Sequence, residues 1–270
     1  QFGDDGKAFC KDIEKSAPKA RKYDNSDMFG GHCGGVCCKS FLALAHLLHG
    51  DNTTADKIRL EAAAYAKDQD DTSRLIARAY TRMYRIFQHD FVVALDNELI
   101  ISGEYADEGP PAAGYWAAKI TRAVTIDDAS GDWRVFDNLV RACAYVGCCW
   151  ERCRNSTLNE NDKNDIQALC RAFEVLNREW NSKECLSLWG TYEAVAWALL
   201  REDDRANELF RTTSEKALAR EEKFYLPELY RLWSECLQRR GDTRAEEKRQ
   251  DGLQFAAGMP LFERWLKSPG

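Results

Sequence analysis

The residues whose types and spacing suit chemistry in this chain are its cysteines and histidines. His32, Cys33, Cys37 and Cys38 bring imidazole and sulfur ligands into one short stretch, a donor set that suits zinc or copper. The spacing is not that of a zinc finger, and no Cys-x-x-Cys pair stands elsewhere to complete a tetrahedral site, so no metal is expected. A second cluster, Cys143, Cys148, Cys149 and Cys153, lies along one predicted helix. There Cys149 and Cys153 share a face at i, i+4, while Cys148 and Cys149 point apart and are better placed to bridge to other helices than to each other. With Cys10, Cys170, Cys185 and Cys236 the total reaches 11, high for a reducing compartment. In an oxidising compartment all eleven are disulfide candidates, with the odd one left as a thiol or an intermolecular bridge; in the cytosol the same residues are small core packers.

Two Asn-x-Ser/Thr acceptors, at Asn52 and Asn155, fall in predicted polar loops and are glycosylation candidates. Together with the cysteines and a first residue that is Gln1 rather than Met, they point to a secreted chain or another oxidising compartment, a cytoplasmic setting being the alternative. His46 and His49, three apart near a helix end, fit a packed stripe and a helix dipole better than an acid–base pair. The carboxylate runs at 68–71 and 202–204 fall in turns and read as solvated. No phosphate loop, nucleophile elbow, His-Glu-x-x-His helix or dinucleotide fingerprint occurs, so neither catalytic residues nor a cofactor are expected.

The elements that carry these residues are helices. Apolar side chains recur at three- and four-residue spacing through nearly every long segment, and strand-like alternation is scarce. Cys38, Phe41, Leu42, Ala45 and Leu48 form one stripe ending at His49-Gly50-Asp51, after which Asn52-Thr53-Thr54 opens a second helix buried through Ile58, Ala62 and Tyr65. The hairpin recurs with Leu75, Ala79, Met83, Ile86 and Phe87, a break at Gln88-His89-Asp90, then Val93, Ala94, Leu99 and Ile100. Further helices are expected at about 112–126, 133–150, 166–180, 183–200, 205–220, 225–239 and 243–257, with a polar exposed loop at 154–165. Ala55 and Ala94 stand 39 positions apart, as do Ala206 and Ala245, which indicates a repeat near forty residues long.

Hydrophobic residues at 44%, charged residues at 30% and only 6 prolines suit a folded, helix-rich protein. A net charge of −6 supplies no basic surplus for phosphates, which argues against nucleic acid as a partner. No apolar run approaches the roughly 18–20 residues of a transmembrane helix.

Two segments resemble a known group, the tetratricopeptide-like regions that follow ATPase modules in large bacterial regulators and adenylate or guanylate cyclase-related proteins. Phe29-Gly30-Gly31-His32-Cys33-Gly34-Gly35-Val36, followed by Ser40-Phe41-Leu42-Ala43, resembles the Gly-Gly-His-Asp-x-Gly-Val start of a repeat helix, with Cys33 in place of the usual Asp. Phe224-Tyr225-Leu226-Pro227-Glu228-Leu229-Tyr230-Arg231-Leu232, then Gly241-Asp242, resembles the group's Ala-Glu-Leu-Tyr-Arg-Leu segment and turn. The resemblance implies a fold and a binding role, and no activity.

The expectation is therefore all-α: a tetratricopeptide-like (TPR) α-solenoid of five to six helical hairpins over residues 25–258, after an N-terminal extension at 1–24 and before a C-terminal tail at 259–270, in which Pro260 precedes a short final helix or tail. Its function is expected to be that of a non-enzymatic scaffold or adaptor within a larger assembly, binding a protein or peptide on its concave face. Tyr80, Arg82, Tyr84, Tyr115, Lys119 and Arg231 are the candidate lining of that groove. The alternatives are a metal, chromophore or small-molecule carrier using the cysteine clusters, and an enzyme with a dispersed site.

Overall fold

The computed structural model describes residues 34–95, 131–153, 158–179 and 186–267, and the account below concerns these. They are all helical: α1 (Gly34–Leu48), α2 (Asn52–Ala66), α3 (Asp71–Phe87), α4 (Phe91–Leu95), α5 (Gly131–Arg152), α6 (Glu160–Glu179), α7 (Leu186–Leu199), α8 (Asp203–Ala219), α9 (Leu226–Arg239), α10 (Ala245–Phe255) and α11 (Pro260–Lys267). Among the described residues there is no strand, and no helix is long and apolar enough to cross a membrane.

Local chemistry sets the helix ends. Asp51 caps α2 by accepting from the Thr54 amide (3.1 Å), and Asp70 caps α3 by accepting from both the amide (2.8 Å) and the hydroxyl (2.7 Å) of Ser73. Each cap satisfies amides that the first turn leaves unpaired, a contribution of about 1 kcal/mol. Pro227 stands in the first turn of α9, where its missing N–H costs nothing. Four first helices end in the same turn. Gly50, His89, Arg201 and Gly241 adopt left-handed φ of 80°, 58°, 67° and 68° after α1, α3, α7 and α9. The next residue is acidic each time, and its amide reaches back over the last turn: Asp51 to the His46 carbonyl, Asp90 to Arg85, Glu202 to Trp197 and Asp242 to Leu237, all at 2.9–3.0 Å. Glu221 ends α8 in the same way, at φ 59°.

The hairpins α1–α2, α7–α8 and α9–α10 are the tightest pairs, α4 rests on both α3 and α5, and α6 lies mainly against α7. First helices neighbour one another in the order α1, α3, α5, α7, α9. The terminal helix α11 touches α9, α10 and α1, so the chain of first-helix neighbours closes on itself. Aromatic rings fill the space within: Phe87 stacks on Tyr225 (centroids 5.1 Å apart) and lies 6.1 Å from Phe262, while the Tyr225 hydroxyl donates to that of Tyr192 at 3.2 Å. All four are buried.

One segment differs from the sequence expectation. The stretch expected to be a loop at 154–165 is helical from Glu160, because Asn159 accepts from the Asp162 amide at 2.8 Å and acidic residues in the first turn suit the helix dipole. Residues 260–267, expected as a short final helix or tail, form α11, with Leu261, Phe262 and Leu266 buried. The extension at 1–24 and the helix expected near 112–126 lie outside the described residues, as do residues 154–157.

Helix crossings depend on small residues. At Gly190 of α7 a Cβ would stand 2.6 Å from the Thr213 hydroxyl and 3.2 Å from its Cβ, on α8. Alanine gains about 1 kcal/mol of helix propensity, but crowding a well-packed core costs roughly 1–3 kcal/mol and Thr213 is buried. Gly190→Ala is therefore expected to lower stability in urea unfolding; an unchanged or raised midpoint would show that α7 and α8 do not meet this closely.

Candidate functional site

Two buried charge networks hold the polar side chains with the greatest chemical potential. The first centres on Asp137 of α5. Arg82 of α3, wholly inaccessible at 0%, donates from Nε to Asp137 Oδ1 (3.0 Å) and from Nη1 to the Ala94 carbonyl (2.6 Å). Arg78 Nη2 and Arg141 Nη2 meet Asp137 Oδ2 at 3.1 and 3.2 Å. The spacing explains the convergence: Arg78 and Arg82 share a face of α3 at i, i+4, and so do Asp137 and Arg141 on α5. Burial alone would raise the Asp137 carboxyl, but the guanidiniums of Arg82, Arg141 and Arg78 outweigh it and bring the pKa down to about 2. Burial pulls Arg82 down to about 10, so it remains charged at neutral pH.

The second network centres on Glu228, 1% accessible in the first turn of α9. Arg231, one turn along, grips it with two bonds, Nε to Oε2 at 2.6 Å and Nη2 to Oε1 at 2.7 Å. His89, in the left-handed turn after α3, places Nε2 3.0 Å from Glu228 Oε1. Its ring stacks on Trp265 of α11, with centroids 3.6 Å apart, and lies 5.6 Å from Phe91. The chain continues from Arg231 to Glu235, which accepts from Trp150 Nε1 at 3.0 Å, and Arg239 covers the Trp150 ring at 3.5 Å. Burial opposes ionisation of Glu228, yet Arg231 and His89 together bring its pKa down to about 2.

Both carboxylates are thus held as anions by cations. A general acid at neutral pH needs the opposite, a carboxyl whose pKa is raised. These networks can join helices and fix their register. A small cleft lined by Ser40, Arg59, Thr81 and Tyr84 has room on the order of one water molecule, far below the roughly 300 Å³ of a typical ligand site.

The candidate residues fall as follows. Tyr80, Arg82, Tyr84 and Arg231, expected along a partner-facing groove, are instead buried, with Arg82 and Arg231 spent on internal ion pairs; Tyr115 and Lys119 lie outside the described residues. Among the described cysteines, Cys37, Cys38, Cys143, Cys148, Cys149, Cys153, Cys170 and Cys236, no two form a disulfide. Cys149 lies in the last turn of α5 and Cys153 just past its end, and Cys170 and Cys236 are buried on separate helices. Burial raises the Cys148 thiol to about 12 and Cys149 to about 11, and moves Cys153, Cys170 and Cys236 upward as well. Thiols so placed stay protonated and behave as small apolar packers. His32 and the remaining cysteines Cys10, Cys33 and Cys185 lie outside the described residues, as does Asn155; among the described residues no group of three His, Cys, Asp or Glu is arranged to hold a metal. Asn52 is exposed as the first residue of α2.

Sequence reasoning missed Asp137 and Glu228. Their only local signal was an arginine three or four positions on, at Arg141 and Arg231, and the partners Arg82 and His89 stand 55 and 139 residues away in the chain. No family model, no curated protein and no solved structure matches this chain.

Two outcomes follow. A carboxylate whose pKa is lowered in the folded state stabilises fully above its unfolded pKa and loses that contribution as pH falls through the folded value. For Asp137 and Glu228 the window runs from the ordinary 3.8–4.5 down to about 2. Asp137→Asn is expected to lose about 3–5 kcal/mol at neutral pH, since it strands buried guanidiniums, and to flatten the acid limb of the stability profile; a wild-type profile in circular dichroism would refute the ion-pair account. Thiol titration should find Cys149, Cys170 and Cys236 slow to react in native protein and fully reactive once unfolded without reductant, whereas thiols still missing after unfolding would mean disulfides.

Proposed function

We propose that this chain is a non-enzymatic helical-repeat scaffold that binds a protein or peptide partner within a larger assembly. The observation that carries the reading is the shared junction of four hairpins: a left-handed residue, an acidic residue, and an amide reaching back over the last turn. Gly50 and His89 stand 39 positions apart, and Arg201 and Gly241 stand 40 apart, which supports a tetratricopeptide-like repeat longer than the usual 34 residues. Repetition of one hairpin builds an extended surface, and that is how such arrays select partners.

Most of the exposed large apolar side chains lie on second helices, which favours them as the binding face. Leu60 on α2 is 58% accessible and Val92 on α4 is 75% accessible, with Leu218 on α8 also exposed; Phe41 on α1 is the exception among the described residues. The inner face has rings and ion pairs where an open array would have a groove. Buried, protonated thiols support a setting in which cysteine serves as a packing residue rather than a cross-link.

Cross-linking mass spectrometry of the full chain in its native extract tests this. One saturable protein partner, cross-linked through α2 and α4 and lost in Leu60→Asp/Val92→Asp with the melting temperature unchanged, is expected. A partner whose cross-links map elsewhere, or the absence of any saturable partner, would defeat the proposal.

A further inference from the structure

Glycine is the residue that a left-handed helix-ending turn favours, because a side chain there meets its own backbone. Two of the four junctions have it, at Gly50 and Gly241. The junction after α3 has His89 instead, at φ 58°, and its ring makes contacts that glycine cannot make: Trp265 of α11 at 3.6 Å, Phe91 at 5.6 Å, and Glu228 at 3.0 Å. One side chain therefore ties the second hairpin to α9 and to the terminal helix.

The terminal helix depends on such ties. It has eight residues, too few to persist alone in water. It follows Gly258, itself left-handed at φ 81°, whose amide donates to Glu263 Oε1 within the same local turn. Arg249 of α10 reaches the Leu266 carbonyl at 3.0 Å. Apolar contacts add to this attachment: Phe262 lies against Phe87 and Tyr225, and Trp265 on His89. Pro260 lies against Gly50, where an added Cβ would stand 3.4 Å from it, so the helix spans the seam between the first and last hairpins.

We infer that α11 is a closing strap and that His89 is its latch, so that α11 opens and closes over the seam as a unit separate from the hairpins beneath it.

Hydrogen exchange on the full chain tests the inference. Trp265→Ala removes the ring on which His89 stacks and leaves the His89–Glu228 contact in place, so the hairpins should keep their protection while the amides of 260–267 exchange at least tenfold faster. His89→Asn, which tolerates the turn and can hydrogen-bond but lacks the ring, should likewise speed exchange at 260–267. Protection falling together across α3, α9 and α11 in Trp265→Ala would make the contact ordinary core packing and overturn the inference. Unchanged exchange at 260–267 in Trp265→Ala would overturn it equally.

Discussion

The structure depends on keeping the Glu228 carboxylate charged while removing it from water. An unpaired ion at this depth costs several kcal/mol even after relaxation, so its partners must come from wherever the chain can supply them. Arg231 is supplied by α9 itself, one turn away, and His89 arrives from the second hairpin. Arg231 then holds Glu235, and Glu235 holds Trp150 at the end of α5. One buried anion thereby draws the turn after α3, the end of α5 and α9 into a single arrangement. Asp137 plays the same part between α3 and α5.

This arrangement shapes what the molecule can do. A stack of like hairpins that stays open offers its inner face to a ligand, whereas here that space is occupied by Phe87, Tyr192, Tyr225 and Phe262. Leu60 and Val92 on the outer helices are uncovered, and α11 spans the seam between the first and last hairpins. The polar residues of the interior are assigned to one another. Carboxylates held near a pKa of 2 and thiols raised by burial are poor reagents at neutral pH, and they suit a framework.

The helical class was legible because a 3.6-residue period writes itself into apolar spacing, and the stripes ending at Leu48 and Phe87 coincide with helices that stop there. Glycine marked the turns at Gly50 and Gly241 but not at His89, Arg201 or Glu221, where the left-handed residue carries a side chain. The start of α6 was hidden because Asn159, Glu160 and Asp162 have the composition of a loop as well as of a helix cap. Arg82 of α3 reads as a surface residue by type. Its buried partner is Asp137, 55 positions on, and no local pattern announces a partner at that distance. The cysteines illustrate the same limit, since composition counts them without saying whether two ever meet.

The most direct test of the account is hydrogen exchange in Glu228→Gln, compared peptide by peptide with the native chain. If Glu228 couples the hairpins, protection falls together in α3 and α4 (residues 71–95), at the end of α5 and in α9–α11. A loss confined to the first turn of α9, or no loss at all, would contradict the account.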